Sequence, residues 1–370
     1  MTSIEAVQTD LGATFGERDG RTVVEHYGRP ERTHRAVRNG VGLIETAYGV
    51  IVVEGEDRIE YVDNVVSNRV PDEDGQGCYA LILGPQGRIE LELYIYNAGE
   101  RLLLFTPPAA AEALAEEWSE KVFIQDVDIR VATDEYAIFG VHGPKATEKV
   151  ASVLNKAGSP DRRYAFVRGT MGDEGVTVIR TDALTGEESF EVICGADDAE
   201  AVYDTLLNHG LNAAPFGYRT WEALCLEAGS PLFHTELEGT IPNVLGLRNA
   251  LDFEKGCYVG QEVVSRVENV GQPSRQLVGL TIETGERADS GEPPVPDSGG
   301  AVFDGDASVG EVTRADVSPL LEGPIALAIV EYGLESGELT VRVDGTEVSA
   351  TVTELPFVEG SDRSDRLPEY

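Results

Sequence analysis

The densest run of chemically distinctive residues in this chain reads Lys255-Gly256-Cys257-Tyr258-Val259-Gly260-Gln261-Glu262. The two glycines permit positive φ angles and a close approach of the backbone to a neighbouring group. A lysine two residues before the thiol favours the thiolate, which is the reactive form of cysteine. The segment therefore predicts either a reactive thiol at Cys257 or a tight turn that holds a half-buried cysteine before a helix beginning at Gln261.

The charge balance of the chain is strongly acidic. Of 370 residues, 66 are acidic and 29 are basic, which gives a formal net charge of −37 and a pI near 4.3. The acid is spread along every segment, so the excess belongs to the whole surface. Such a surface is typical of a protein from a high-salt cytoplasm, where screening removes most self-repulsion. An acidic protein from an ordinary cytoplasm is the alternative. Either way, the charge disfavours a nucleic-acid partner.

Cysteine and histidine spacing gives no sign of a metal site. The four cysteines are too far apart for a C-x-x-C motif, and the five histidines lack ligand spacing. Reduced thiols in a cytosol fit this pattern. No apolar run approaches the roughly 18 residues of a membrane helix. The N-terminal residues 1–5 lack the features of a signal peptide. We therefore expect a cytoplasmic protein without a metal, a membrane or a nucleic-acid partner.

The residue pattern predicts an α+β fold. Strands and helices alternate twice before about residue 215, without the regular spacing of a doubly wound sheet, which indicates two related α+β halves. From residue 276 onward, six short strands separated by Gly, Pro, Asp and Ser predict a small β-barrel or sandwich. The predicted units are residues 1–270 for the two halves, residues 275–358 for the barrel, and residues 359–370 for a disordered tail.

Seven further motifs occur in order along the chain, and each is weak alone. They are His34-Arg35-Ala36-Val37-Arg38, Ser67-Asn68-Arg69-Val70, Gly75-Gln76-Gly77-Cys78-Tyr79, Gly143-Pro144-Lys145-Ala146, Thr185-Gly186-Glu187 with Phe190-Glu191, Leu226-Glu227-Ala228-Gly229, and Gly310-Glu311-Val312-Thr313 with Ser318-Pro319. Together they resemble the glycine-cleavage T-protein (aminomethyltransferase) family. The segment 255–262 resembles the K-G-C-Y/F-x-G-Q-E signature of its YgfZ-type folate-binding relatives. The resemblance implies a ring of three domains with tetrahydrofolate held in the central opening.

The resemblance also implies a catalytic carboxylate. Counted from Tyr79, the family's catalytic aspartate falls on Glu92 in this chain. The additional methylene moves the carboxylate by roughly 1.5 Å. A misplacement near 1 Å can cost on the order of 10²-fold in rate. We therefore expect Glu92 to retain folate binding and to weaken aminomethyl transfer. A second departure replaces the family's D-x-S-H by Glu45-Thr46-Ala47-Tyr48.

The remaining site predictions follow from the same resemblance. Cys257 is the second catalytic candidate. The candidates for binding the cofactor, tetrahydrofolate or a folate derivative, are Tyr79, Glu187, Glu191, Asn68 and Lys255. Among them, Tyr79 could stack or hydrogen-bond. Glu191 could pair with the N–H edge of the pterin through charge-assisted hydrogen bonds.

Three functions follow as alternatives. The first is a tetrahydrofolate-binding, YgfZ-like protein that supports iron–sulfur enzymes. The second is an active aminomethyltransferase, which moves a methylene group from an aminomethylated lipoyl carrier protein or a methylated amine to tetrahydrofolate and releases ammonia. The third is a folate-free scaffold on the same fold. The first is the leading interpretation. We also expect enzymatic activity of the folate-dependent, aminomethyltransferase type, with folate and either a lipoyl carrier or iron–sulfur enzymes as partners.

Overall fold

The computed structural model describes residues 4–256, 258–283, 293–334 and 337–370. Within these ranges the α-helices are α1 (Glu5–Asp10), α2 (Pro30–Asn39), α3 (Arg58–Asp63), α4 (Ala111–Lys121), α5 (Ala146–Val153), α6 (Ala199–Asn208), α7 (Tyr218–Glu227) and α8 (Gln261–Val270). Over the described residues, no helix combines the length and the apolar character that crossing a bilayer requires.

The strands of the first part of the chain are β1 (Thr14–Arg18), β2 (Arg21–His26), β3 (Gly42–Glu45), β4 (Gly49–Glu54), β5 (Gln76–Leu83), β6 (Ile89–Asn97), β7 (Arg101–Thr106), β8 (Asp128–Val131), β9 (Tyr136–His142) and β10 (Leu154–Asn155). Those of the second part are β11 (Phe166–Met171), β12 (Glu174–Arg180), β13 (Ser189–Gly195), β14 (Ala214–Pro215), β15 (Arg275–Ile282), β16 (Ala301–Asp304), β17 (Ala307–Ser318), β18 (Gly323–Glu331), β19 (Glu338–Val343) and β20 (Thr346–Thr353).

The two predicted α+β halves correspond to two sheets that the chain builds in an interleaved order. One sheet has the order β5-β6-β7-β4-β8, and the other has the order β10-β11-β12-β13-β9-β3-β14. The early strand β3 pairs with β9 of the second sheet, after which the chain crosses to β4 in the first sheet. Residues 46–48 therefore form the bridge between the two halves.

The C-terminal unit is a closed six-stranded barrel, which confirms the prediction of a small β-barrel. Its order is β15-β18-β17-β16-β19-β20, and β20 closes the ring by pairing with β15. Alternate residues of these strands, such as Leu280, Val302 and Val341, fill the interior. The sequence alone allowed a sandwich as well, because closure depends on pairing between strands far apart in the chain.

The turn between β5 and β6 brings Tyr79 and Glu92 onto neighbouring strands. Gly87 takes a φ of +73°, which a residue with a Cβ rarely adopts, and its N–H donates to the carbonyl of Gly84 at 2.9 Å. The run Gly84-Pro85-Gln86-Gly87 between two strand-like segments predicts a hairpin by its turn chemistry, and the structure confirms it. Its register sets Leu81 opposite Glu92, so the strand face that carries Glu92 is fixed by backbone pairing.

The C-terminal segment 359–370 packs against the body of the protein, so the prediction of a disordered tail is wrong. Backbone N–H groups of Asp362, Asp365 and Glu369 donate to carbonyls of Gly186, Asp182 and Gly246 at 3.0–3.2 Å. Burial of Arg366 and Leu367 adds further contacts, since both are at most 5% exposed. Tertiary pairing therefore holds a segment whose composition suggested fraying.

A buried polar network joins four of the sequence motifs. Glu227 on α7 accepts hydrogen bonds from Arg38 at 2.9 Å and from Ser318 of the barrel at 2.6 Å, and its second contact with α2 is His34 at 2.8 Å. Arg38 also pairs with Glu187 at 2.7 Å. These motif residues therefore tie α2, α7, the second sheet and the barrel together. Because the charges are buried and paired, removing one partner would be strongly destabilising.

Candidate functional site

A cavity of about 400 Å³ opens where the two sheets meet α7 and the C-terminal segment. A volume of this size suits a small organic ligand. Most of its wall is aromatic or apolar, and its floor carries a carboxylate and a guanidinium. The residues that line the cavity include Arg18, Asp19, Tyr48, Glu92, Tyr94, Tyr218, Trp221, Glu222, Phe233, His234 and Arg366.

A larger groove of about 1060 Å³ lies on the other side of α7. It is lined by side chains such as Arg35 and Glu322, which form an exposed ion pair with each other. Pairs of this kind contribute little free energy and do not define a binding site. The smaller cavity, with its buried charges, is the candidate site.

Glu92 stands at the floor of the cavity, held from two sides. The Tyr79 hydroxyl donates to one carboxylate oxygen of Glu92 at 2.9 Å. Arg366 pairs with that same oxygen at 2.8 Å. The side chain of Glu92 is 15% exposed while that of Arg366 is 1% exposed, so the carboxylate faces the cavity and the guanidinium supports it from behind.

Tyr79 acts on Glu92 rather than on the cavity. It is fully buried, and the guanidinium of Arg366 lies 4.4 Å from the centre of its ring. Burial raises the pKa of the Tyr79 hydroxyl well above its usual value, and this outweighs the opposing effect of Arg366. The hydroxyl therefore keeps its proton and remains a donor to Glu92. The predicted stacking of Tyr79 on a ligand does not match this position.

Arg366 is the main site residue that the sequence reasoning missed. Besides Glu92, it contacts Asp182 at 3.3 Å and donates to the Tyr94 hydroxyl, which itself donates to Asp182 at 2.7 Å. Burial opposes the charge on Arg366, but the neighbouring Glu92 carboxylate helps hold its pKa well above the ordinary value. One sequence signal could have indicated that the segment 359–370 is ordered. Leu367 is an apolar residue inside this predicted tail.

Glu191 lies behind the cavity wall and not in it. The Tyr48 hydroxyl donates to Glu191 at 2.8 Å, and Glu191 is only 6% exposed. Burial, helped by the nearby Asp182 charge, raises the pKa of Glu191 to about 8 even though the bond from Tyr48 acts against it. Glu191 is absent from the lining of the cavity, and Tyr48, which does line it, bonds to Glu191. The predicted contact between Glu191 and a pterin stays a prediction.

The rim of the cavity carries charges of both signs. Arg18, from the β1–β2 hairpin, pairs with Glu25 at 2.9 Å and with Glu222 of α7. Its guanidinium also lies 5.0 Å from the ring centre of Tyr218. His234 contacts Asp19, in the turn of the same hairpin, at 2.8 Å. The hairpin is thereby tethered to the rim, beside the aromatic wall.

Asn68 and Lys255 stabilise the backbone away from the cavity, which corrects the prediction that they contact the cofactor. The Lys255 ammonium donates to the carbonyls of Asp63, Val66 and Asn68 at 2.6–3.0 Å, at the end of α3. Asn68 donates to the carbonyls of Tyr79 and Asn249, both at 2.8 Å. These hydrogen bonds occupy the Lys255 ammonium and the side-chain amide nitrogen of Asn68.

Two further candidates from the sequence are not part of the cavity floor. Glu187 accepts from Arg38 and from the backbone N–H of Ser361 at 3.0 Å, so it anchors the C-terminal segment instead of meeting a ligand. Cys257 lies outside the described residues. Nearby, Gly260 has a φ of +80° and α8 begins at Gln261, as the tight-turn alternative for this segment predicts.

The arrangement places a proton-accepting group, the Glu92 carboxylate, at the floor of a mostly apolar cavity. The Glu92 carboxylate presents its edge to the cavity, and its orientation is fixed by an uncharged hydroxyl and a permanent cation. Aromatic side chains of Tyr218, Trp221 and Phe233 supply flat apolar surface around it. Such a site can bind a flat, partly polar ring and accept a proton from a nitrogen placed over Glu92.

Comparisons with known proteins cover almost the entire chain. The family model described as the GCVT N-terminal domain matches residues 4–255, and that of the glycine cleavage T-protein C-terminal barrel domain matches residues 275–359. An aminomethyltransferase from Saccharopolyspora erythraea is 32% identical, over 96% of this chain and 97% of its own. One from Pseudothermotoga lettingae is 31% identical, over 89% of each chain.

A solved structure shares the fold over its full length. The glycine cleavage system aminomethyltransferase T from Bartonella henselae superposes with a TM-score of 0.84 over 98% of each chain, at 24% sequence identity. At 24% identity, this similarity is evidence for the fold only. It supports the arrangement of two sheets and a barrel.

Proposed function

Because this chain belongs to the glycine-cleavage T-protein (aminomethyltransferase) family, we propose that it is a tetrahydrofolate-dependent aminomethyltransferase. It would take a methylene unit from an aminomethylated lipoyl carrier protein, pass it to tetrahydrofolate and release ammonia. This corresponds to the second of the three functions expected from the sequence. The relatives described above carry that activity in their names, which favours it over the other two.

The observation that carries the proposal is the held carboxylate at the cavity floor. Glu92 keeps the contacts with Tyr79 and Arg366, at 2.9 and 2.8 Å, despite having a longer side chain than the aspartate expected there. A positioned carboxylate of this kind typically contributes on the order of 10²- to 10⁴-fold as a general base. A protein that only stored folate would need no such group.

The residues present fit tetrahydrofolate. The cavity of about 400 Å³ has aromatic surface for a bicyclic ring and leaves the rim open for a polar tail. When bound, the cofactor supplies the nitrogens that accept the methylene unit. Glu92 would hold the proton that one of these nitrogens loses, Arg366 and Tyr79 would fix the carboxylate, and Trp221 and Phe233 would exclude water.

The YgfZ-like support of iron–sulfur enzymes remains a second candidate. Its motivation is the resemblance of the segment 255–262 to the YgfZ-type signature. Within this segment, the Lys255 ammonium donates to backbone carbonyls at the end of α3. A folate-free scaffold is disfavoured by the buried Arg366 and Asp182 and by the partly buried Glu92 that pairs with Arg366. Such groups are costly to bury, and a scaffold gains nothing from aiming one of them into a cavity.

An ammonia-release assay tests the proposal. Purified protein, tetrahydrofolate and an aminomethylated lipoyl carrier should release ammonia catalytically in high salt. Binding is measured in a separate experiment, as the increase in the free energy of unfolding that the ligand causes. Tetrahydrofolate at 100 times its Kd should add about 2.7 kcal/mol. Folate binding without ammonia release would point to the YgfZ-like role. If tetrahydrofolate does not bind at all, the folate-free scaffold is the remaining function.

A further inference from the structure

The segment that supplies Arg366 lies beyond the residues that the two family models match. The match of the barrel model ends at residue 359, whereas residues 360–370 fold back onto the body of the protein. Residues 361–366 repeat the triplet Ser-Asp-Arg twice. The first arginine of this repeat, Arg363, is exposed and the second, Arg366, is buried. The two arginines therefore occupy different environments in one short repeat.

The aspartates of the repeat fasten the segment to the second sheet and to the loop before β11. Asp362 pairs with Arg163 at 2.8 Å and with Arg180 at 2.6 Å. Asp365 pairs with Arg163 as well. These four side chains are between 14% and 28% exposed, and salt screens partly buried pairs less than exposed ones. The segment thus has attachments that do not involve Arg366.

Arg366 enters a socket whose groups match a guanidinium. The carboxylates of Glu92 and Asp182 lie 2.8 and 3.3 Å from two of its nitrogens, and the third nitrogen donates to the Tyr94 hydroxyl. Its central carbon lies 4.4 Å from the ring centre of Tyr79 and 5.6 Å from that of Tyr94, within range of cation–π contact. Each nitrogen thus has its own partner, which the point charge of a lysine would not reproduce.

The backbone beside the socket is strained at two residues. Tyr164 has a φ of +61° and Ala183 a φ of +57°, a region that residues with a Cβ rarely adopt. The ring of Tyr164 lies 6.4 Å from that of Tyr94, and Ala183 directly follows the socket acid Asp182. Strain of this kind costs free energy and concentrates at functional sites. It favours a functional role for the socket over simple anchoring of the segment.

We propose that Arg366 is a positioning residue for the transferase, whose guanidinium, seated in this socket, orients the Glu92 carboxylate toward the cavity. This inference rests on the proposed aminomethyltransferase function and deepens it, because a segment beyond the family-matched residues becomes part of the site. The shape of the guanidinium is required in addition to its charge. A carboxylate misplaced by about 1 Å can cost on the order of 10²-fold in rate.

Chemical rescue tests the requirement for a guanidinium. Arg366→Ala empties the socket toward the cavity, which Arg366 lines, so that N-methylguanidinium can enter. At saturating tetrahydrofolate, kcat for ammonia release should fall on the order of 10²-fold. N-methylguanidinium at millimolar concentrations, far below those that unfold proteins, should restore a large part of this loss. Methylammonium at the same concentration and ionic strength should not, because it lacks the planar fork.

Two further variants make the test specific. Arg363→Ala is the matched control, because it removes the exposed arginine of the same repeat; it should keep full activity and should not respond to N-methylguanidinium. Arg366→Lys keeps a long, charged side chain, and its kcat should stay low. Limited proteolysis near residue 360 measures whether the segment stays docked. If Arg366→Ala is cut there, Arg366→Lys decides the question.

The inference is overturned by full ammonia release in Arg366→Ala or Arg366→Lys. It is also overturned if Arg366→Ala stays protease-resistant, loses activity and does not respond to N-methylguanidinium, since Arg366 would then be purely structural. Calorimetry gives a readout that does not depend on activity: N-methylguanidinium should bind to Arg366→Ala and not to the unmodified protein. Absence of ammonia release from the unmodified protein would remove the proposed function, while this titration would still test the socket.

Discussion

At the scale of single residues, position 92 combines a departure from the family with an intact environment. The side chain is one methylene longer than the aspartate expected there, yet it reaches both Tyr79 and Arg366. The longer side chain therefore has two protein partners that fix its carboxylate at the cavity floor.

Glu92→Gln tests the role of this carboxylate. The amide keeps the size of the side chain but accepts a proton poorly, so ammonia release should fall by about 100-fold or more. Binding of tetrahydrofolate should change by less than about tenfold. Glu90→Gln, an exposed position on the same strand, is the control. If both variants retain full activity in the ammonia assay, Glu92 is not the base.

Glu191 gives the stability of the protein a pH dependence. Burial raises its pKa to about 8 in the folded state from an ordinary value of 4.5, so the folded state binds the proton more tightly. This contribution is complete below about pH 4.5 and is lost as the pH rises through 8. His142 has the opposite sign, because burial lowers its pKa to about 4, but it acts only below about 6.5.

Between pH 6.5 and 8 the free energy of unfolding should therefore fall as the pH rises. The slope should approach, but not exceed, about 1.4 kcal/mol per pH unit from this single group. Glu191→Gln should flatten the slope. Denaturant unfolding at several pH values and constant salt measures both, and an unchanged slope in the variant would assign the pH dependence to another group.

At the scale of elements, strands and turns were predictable where a local pattern determines them. The hairpin at residues 84–87 and the six barrel strands follow from turn residues and alternation. The position of β3 in the second sheet does not follow, because it depends on pairing with β9 some 95 residues later.

The site was predictable only in part for the same reason. The motifs pointed to Glu92, which lines the cavity, and to Glu191, which does not. The hydrogen bond from Tyr48 to Glu191 could not be read from spacing. Lys255 and Glu187 looked like ligand contacts, but tertiary structure turned them to carbonyls and to the C-terminal segment. Arg366 was missed because its partners lie on strands far away in the chain, and composition alone argued for a tail.

Gly360→Ala tests the docking of the C-terminal segment. A Cβ at residue 360 would lie 1.8 Å from the Gly186 carbonyl oxygen, a backbone atom that cannot yield cheaply. The segment should detach and withdraw Arg366 from Glu92, which should lower tetrahydrofolate affinity by roughly tenfold or more. Limited proteolysis should then cut near residue 360.

A second glycine serves as the control for this variant. Gly175, on β12, has no atom within 4 Å of an added Cβ, so Gly175→Ala should leave both affinity and proteolysis unchanged. Normal affinity and protease resistance in Gly360→Ala would contradict the assigned role of the segment.

At the scale of the whole molecule, the net charge of −37 should make stability depend on salt. Self-repulsion of the surface favours expansion, and it is screened as the Debye length falls from about 10 Å at 0.1 M salt to about 3 Å at 1 M. The melting temperature should rise continuously with KCl over this range. Sucrose at matched osmolarity separates screening from solute exclusion. A melting temperature that does not change with KCl concentration would argue against the high-salt origin predicted from composition.

The link between Arg366 and Tyr94 also bears on how the protein folds. It joins residues 272 positions apart, so it forms only when two distant parts of the chain have docked. Bringing such distant residues together carries a loop-closure cost that local contacts avoid. The cavity floor is thus complete only in a molecule whose C-terminal segment has reached the first sheet. A molecule that binds its ligand has by that fact finished folding, and ligand affinity becomes a measure of how much of a preparation is native.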